Sequence, residues 1–290
     1  MVKFNMPGGL ECGTPGPCYT MDETSGGVDD SYACLNLSLV GTVGSAGGNI
    51  GNARKFTDNG NKQVDLSVAH GFFEDEHNKL YSLNNRQRGM GFSFWIYHEW
   101  AADPSGYLTS AIVSKGCFQV GSSPPCNDHE YTVSWENPGL GGSTKKSVRP
   151  IVGLTNGGNA IGLQLGITTG VWTFVTVGWN DEGTLHFYEY ATEVGQTAPQ
   201  LSLTTSIGGI SSFRCAVKDY KFRIGCKNNA DITGSPTYHD LGYDNNNFVL
   251  LDNVKLHRCP RSSGEWEQLH IDLFNGGAGI ACADASDIRT

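Results

Sequence analysis

The densest run of groups able to do acid–base chemistry is Glu74-Asp75-Glu76-His77-Asn78. Two carboxylates about 5–5.5 Å apart can cleave a glycosidic bond, one as nucleophile and the other as acid and base. These three acids are consecutive and their neighbours do not read as a strand, so the run is expected to be an exposed acidic loop. The eight histidines, at 70, 77, 98, 129, 186, 239, 257 and 270, are scattered and form no H-E-x-x-H pair, so zinc is not expected. Neither a G-x-S-x-G elbow nor a G-x-x-x-x-G-K-[ST] phosphate loop occurs. No catalytic, cofactor-binding or metal residue is therefore assigned, and the chain is expected not to be an enzyme.

Nine cysteines stand at 12, 18, 34, 117, 126, 215, 226, 259 and 282, and none forms C-x-x-C. They read either as small buried hydrophobes in a reduced protein or as disulfides gained in an oxidising medium. If bridges form, Cys12–Cys18 and Cys117–Cys126 are the expected pairs, and the odd count leaves one thiol over or bridging two chains.

Aromatic residues offer the other route to function, because a ring face can stack on a sugar. Trp100, Tyr107, Trp135, Tyr238 and Tyr243 sit at strand ends or in loops and are the candidate glycan contacts. Trp95, Trp172 and Trp179 lie inside strand-like runs and read as core.

The elements that would carry these residues follow from composition and pattern. Charged residues are only 17% of the 290, against 39 glycines, 6 Trp, 11 Tyr and 13 Phe, which fits many short strands joined by tight turns. The net charge of −9 argues against a nucleic-acid backbone as partner. The small basic cluster Lys145, Lys146 and Arg149 reads as a solvated loop. Residues 1–9 lack the apolar core of a secretory signal, and no run of about 18 apolar residues could span a membrane. The expectation is a chain made without export and without membrane insertion.

Strands are expected at 91–97, 111–115, 130–135, 160–165, 222–226 and 248–256, with a hairpin formed by 171–179 and 184–190 about the turn Asn180-Asp181-Glu182-Gly183. Ser263-Gly264-Glu265-Trp266-Glu267-Gln268-Leu269 is the helix candidate, with a Ser cap, an acidic first turn and an end at Asn275-Gly276-Gly277. Residues 1–17, rich in Gly and Pro, read as an N-terminal arm, and 18–290 as one domain.

The order of several short motifs resembles the concanavalin A-like lectin/glucanase superfamily, specifically LamG-like jelly-roll domains. They are Tyr19-Thr20-Met21-Asp22-Glu23-Thr24-Ser25-Gly26, Gly48-Asn49-Ile50-Gly51-Asn52-Ala53-Arg54-Lys55-Phe56, and Phe92-Ser93-Phe94-Trp95-Ile96 with Ile112-Val113-Ser114-Lys115-Gly116. The hairpin from Trp172, then Phe222-Arg223-Ile224-Gly225 and Leu251-Asp252-Asn253-Val254-Lys255-Leu256, continue the match to Leu273-Phe274-Asn275-Gly276-Gly277. Cys259-Pro260-Arg261 before the helix departs from the pattern, as do the elaborated segments 116–138 and 228–247, where specificity of its own is expected.

The resemblance implies an all-β, antiparallel two-sheet sandwich with one short C-terminal helix. Glucanases of the superfamily use a Glu-x-Asp-x-Glu strand, which 74–78 does not reproduce. The cofactor the resemblance allows is calcium, held at the rim with Asp22, Asp128, Asp244 and Asp252 as contributors. The implied function is a non-enzymatic structural or decoration protein of a virus particle, on a bacteriophage capsid or fibre, with glycan or cell-surface adhesion. Its partners would be a capsid or other virion protein, a host-surface glycan and copies of itself, at the virion surface. The alternatives are an extracellular carbohydrate-binding module of a cell and a glycoside hydrolase or lyase.

Overall fold

A computed structural model describes residues 18–27, 36–57, 71–74, 89–99, 109–116, 129–136, 146–154, 159–181, 184–199, 201–207, 221–228, 238–241, 246–258 and 262–280. The arm at 1–17, the acids Asp75, Glu76, Asp128 and Asp244, and the proposed bridge Cys117–Cys126 lie outside the described residues. Cys18 is disulfide-bonded, and Cys12, expected as its partner, lies outside the described residues.

The first strands are β1 (Cys18–Tyr19), β2 (Ser38–Gly41), β3 (Gly44–Gly47), β4 (Asn52–Phe56), β5 (Gly71–Glu74), β6 (Gly89–His98), β7 (Thr109–Gly116), β8 (His129–Glu136) and β9 (Lys146–Gly153). Then come β10 (Asn159–Ile161), β11 (Leu165–Ile167), β12 (Thr173–Asp181), β13 (Leu185–Glu193), β14 (Leu201–Ile207), β15 (Phe222–Ile224), β16 (Cys226–Asn228), β17 (Tyr238–Asp240) and β18 (Val249–Arg258). One sheet runs β14-β13-β12-β6-β18-β4-β3, with β1 also on β18. The second runs β10-β9-β8-β7-β15-β5-β2, with β11 also on β9, and all the pairings are antiparallel.

Alternation puts every second side chain between the sheets. Phe92, Phe94 and Ile96 of β6 and Val175, Val177 and Trp179 of β12 meet Tyr131, Val133 and Trp135 of β8 and Phe222 and Ile224 of β15 in one buried core. On the other face of the first sheet, Trp95, Phe174, Tyr188 and Tyr190 are covered by Trp266, Leu269, Leu273 and Phe274 of the single helix, α1 (Ser263–Phe274). Ser262, not Ser263, caps this helix: its hydroxyl accepts from Glu265 N–H while the Glu265 carboxylate accepts from Ser262 N–H. Asn275, in the left-handed conformation, ends it. No helix among the described residues is long and apolar enough to cross a membrane.

Trp266 enters a slot made by two glycines. Gly178 of β12 pairs with Gly91 of β6, and a methyl group on Gly178 would lie 2.3 Å from the Trp266 ring. The strands can approach the indole this closely only without a Cβ at either position.

Lys146 and Arg149 do not form a solvated loop with Lys145. They belong to β9, where Lys146 is buried and Arg149 pairs with Ser134 of β8. Pro150 sits inside that strand, where it gives up no needed donor yet accepts from Gly162 N–H through its carbonyl. Residues 160–165 are not one strand but the end of β10 and the start of β11 on either side of 162–164. Glu74, expected in a loop, closes β5. Part of the segment 228–247 is the strand β17, paired with β16.

The glycine-rich signature at 48–52 is explained by two aspartates. Asp22 Oδ1 accepts from Asn52 N–H at 2.6 Å, and Asp252 Oδ2 from Ile50 N–H at 2.8 Å. A Cβ on Gly48 would meet Asp252 Oδ2 at 2.7 Å, and one on Gly51, whose φ is +74°, would meet Asp22 Oδ1 at 2.3 Å. Asp252 also opens a bulge in β18, where Asn253 takes φ 48° and the strand hands its edge from β4 to β1. Burial raises the Asp252 carboxyl to about 7, against the pull of the Ile50 N–H, and the nearby Asp22 charge adds to the rise. Replacing Asp252 with alanine removes the buried acceptor of the Ile50 N–H and is expected to cost about 2–4 kcal/mol, read as a lower urea midpoint.

Candidate functional site

Three partly exposed aromatic rings lie side by side on the helix-bearing face of the first sheet, with Trp172 packed at the edge of the cluster under α1. Tyr97 shares a face with Trp95 two residues earlier, but Trp95 is buried under the helix while Tyr97 is only partly covered. Its ring lies 5.5 Å from Trp172, tilted by 43°, and 6.4 Å from Phe248, tilted by 27°. The three come from the ends of three neighbouring strands, β12, β6 and β18, and main-chain bonds hold them in register. Glu99 N–H donates to Phe248 C=O at 3.1 Å, Gly170 N–H to His98 C=O at 2.9 Å, and Val194 N–H to Trp172 C=O at 2.9 Å.

Two charges flank the strip. The Lys55 ammonium lies 3.9 Å from the Phe248 ring centroid, a cation–π contact. The Tyr97 hydroxyl donates to Glu99 Oε1. That bond, then desolvation and the Glu99 charge, push the phenol up to about 12, so it stays a neutral donor. Such a surface offers apolar ring faces beside hydrogen-bonding groups, the combination that sites for small polar ligands use.

Other arrangements with the residue types of catalysis are structural. Ser93 Oγ and His257 Nε2 are 2.7 Å apart, the spacing of a nucleophile and its base. Ser93 is buried, and burial pushes His257 down to about 3, too low for a base at neutral pH. On the second sheet, Glu136 accepts from Ser134 Oγ at 2.7 Å, Gln164 Nε2 at 3.1 Å and Arg149 Nη1 at 3.5 Å. Both of its oxygens are engaged in bracing β8 and β9 to residue 164. His270 is held between Thr176 and Thr192 hydroxyls at 2.9 and 2.8 Å under the helix.

Of the five aromatics read as glycan contacts, Trp135 is placed differently from expectation. It is fully buried between the sheets with the His98 ring against its edge, 5.1 Å away, so its face is closed to a ligand. Tyr238 lies in β17, opposite Asn228. Trp100, Tyr107 and Tyr243 lie outside the described residues, although Trp100 directly follows Glu99 and Tyr243 precedes Phe248 by five positions. Trp95 and Trp179 are core, as expected, whereas Trp172 is partly exposed. The strip was missed because Tyr97 and Trp172 sit in strand-like runs; their place at strand ends was the available signal.

Among the described residues no cluster of three or more His, Cys, Asp or Glu is arranged to hold a metal ion. Asp22 and Asp252, named for calcium, direct oxygens at the backbone of the 48–52 turn instead.

The architecture is that of an all-β, antiparallel two-sheet sandwich with one C-terminal helix. Among solved structures, the binding domain of Paraclostridial Mosquitocidal Protein 1 is similar, with a TM-score of 0.55 at 12% identity, over 90% of this chain and 53% of that one. The botulinum neurotoxin serotype G binding domain aligns with a TM-score of 0.52 at 11% identity, over 88% and 50%. The serotype D ligand binding domain, solved with N-acetylneuraminic acid, gives 0.50 at 12%, over 89% and 50%. The chain thus spans about half the length of these domains, and at such identities the likeness is one of fold. No protein-family model and no curated protein matches the sequence.

Proposed function

We propose that this chain is a non-enzymatic glycan-binding sandwich, displayed on the surface of a virus particle and docked there on a capsid or other virion protein. The observation that carries the binding role is the strip Tyr97–Trp172–Phe248, three partly exposed rings with a carboxylate and an ammonium at its margins. Similar structures are binding domains, one of them solved with N-acetylneuraminic acid, which supports recognition over catalysis at the level of fold. The bonded Cys18 favours a setting outside a reducing cytosol. That observation equally supports a second reading, an extracellular carbohydrate-binding module of a cell. Detection in purified particles at high copy number supports the virion setting; recovery only as a secreted or cell-attached protein supports the other.

Binding is tested by titrating oligosaccharides against the protein and Trp172→Ala. The substitution is expected to weaken binding at least about tenfold, the loss of one stacking contact of about 1.4 kcal/mol. A thermal melt confirms that both proteins are folded at the assay temperature. Equal affinity in the two would remove the strip from the site.

A further inference from the structure

Building on the glycan-binding reading, we infer that Glu99 is a specificity-determining residue that makes this strip select neutral, hydroxyl-rich sugars over sugars bearing a carboxylate. Glu99 follows the last residue of β6, and its main chain is tied to Phe248. One side-chain oxygen accepts the Tyr97 hydroxyl, which places the carboxylate beside the central ring of the strip. No group among the described residues donates to the second oxygen. The Tyr97-bonded Oε1 faces Gly170, where a Cβ would lie 4.0 Å from it, so the carboxylate sits between the end of β6 and the segment that leads to Trp172.

A carboxylate accepts hydrogen bonds and cannot donate them. A sugar stacked on these rings can offer hydroxyl donors to the open oxygen. A sialic or uronic acid at the same place brings an acceptor-only group of the same charge. It gains no bond there and meets repulsion, which discriminates by penalising the wrong ligand. The positive charge in the neighbourhood does not cancel this. Lys55 sits over Phe248, on the flank of the strip, and Tyr97 makes its hydroxyl contact with Glu99. The chain as a whole carries −9, so its long-range field also opposes an anionic ligand.

The test pairs neutral oligosaccharides with sialylated or uronate-bearing versions of the same core and measures affinity by calorimetry in low-salt buffer. The wild-type protein is expected to bind the neutral member about tenfold more tightly, the order set by a like-charge contact near the surface. Glu99→Gln keeps the shape, removes the charge and is expected to shrink the gap to about threefold or less. Tyr97→Phe, which removes the hydroxyl that positions the carboxylate but keeps its charge, is expected to narrow the gap less than Glu99→Gln does. Equal or tighter binding of the charged member by the wild type, or an unchanged gap in Glu99→Gln, overturns the selectivity. If neither member binds at all, the glycan-binding reading itself falls, and the selectivity with it.

Discussion

Trp266→Ala is expected to cost about 3–5 kcal/mol, seen as a large drop in the urea midpoint. The indole is fully buried and is the largest side chain by which α1 grips the sheet, stacked on Tyr188 at 6.2 Å with the His257 ring edge-on at 6.5 Å. Removing it leaves a cavity walled by two glycines that have no side chain with which to fill it. The same geometry makes a sharper prediction. In Gly178→Ala the three atoms nearest the new methyl group would all belong to the Trp266 ring, at 2.3–2.6 Å, so the substitution is severely destabilising in the wild type and milder in the Trp266→Ala background. Gly91→Ala is not rescued in this way, because its methyl group would also lie 2.2 Å from the Val177 carbonyl oxygen. A double-mutant cycle for each glycine with Trp266 checks the slot, and equal coupling for both would contradict it.

Glu189→Gln is expected to stabilise the protein in mildly alkaline solution and to flatten the dependence of stability on pH. Glu189 points from β13 into the core, on the side of Phe187 and Ala191. Its Oε2 accepts from Leu163 N–H at 3.2 Å, while Oε1 is buried with no hydrogen-bond partner among the described residues. Burial raises the carboxyl to about 8 from an ordinary value of 4.5, opposed by the Leu163 N–H and the Arg149 charge. The unfolded chain releases this proton near 4.5 and the folded one only near 8. Between those values the folded state holds more protons, so stability falls as pH rises, by roughly 3–5 kcal/mol over the window.

The buried histidines act in the opposite sense. Burial lowers His98 to about 4 and His270 to about 3 from 6.5, and His257 to about 3. Their contribution is present above the unfolded value of 6.5 and is lost as pH falls through the folded values. Stability is therefore expected to peak on the order of pH 6 and to decline on both sides. In Glu189→Gln the decline between about pH 7 and 8 is removed, the part that Asp252 contributes up to about pH 7 remains, and the acid decline is kept. Urea midpoints measured from pH 4 to 9 check this, and an unchanged alkaline slope in the variant would place the titrating group elsewhere.

Much of the architecture was legible because period-2 alternation is a local property. The run from Val171 to Trp179 and its return to Tyr190 announce a hairpin, and the pairing of Thr173 with Glu193 through Asp181 with Leu185 is that hairpin. The helix, too, was visible from its cap and its end, although it continues to Phe274. β9 was not legible. Lys146, Arg149 and Pro150 resemble a solvated loop, and only neighbours from β8 and from the segment around Gly162 reveal where those groups are satisfied. The break at 162–164 is equally non-local: Leu163 bonds to Glu189 and Arg149 Nε to Gly162 C=O at 3.0 Å.

By itself the sequence determined which side chains share a face of a strand and where strands must turn, since backbone geometry and alternation settle both within a few residues. Tertiary structure alone decided which faces are covered. Trp135 and Tyr97 occupy similar strand-end positions, yet one is sealed against the opposing sheet and the other stays open beyond the reach of α1. The pairing of Gly91 with Gly178, and the arrival of Trp266 between them, joins residues about ninety positions apart. Burial depends on what packs on top, and that partner comes from a distant part of the chain.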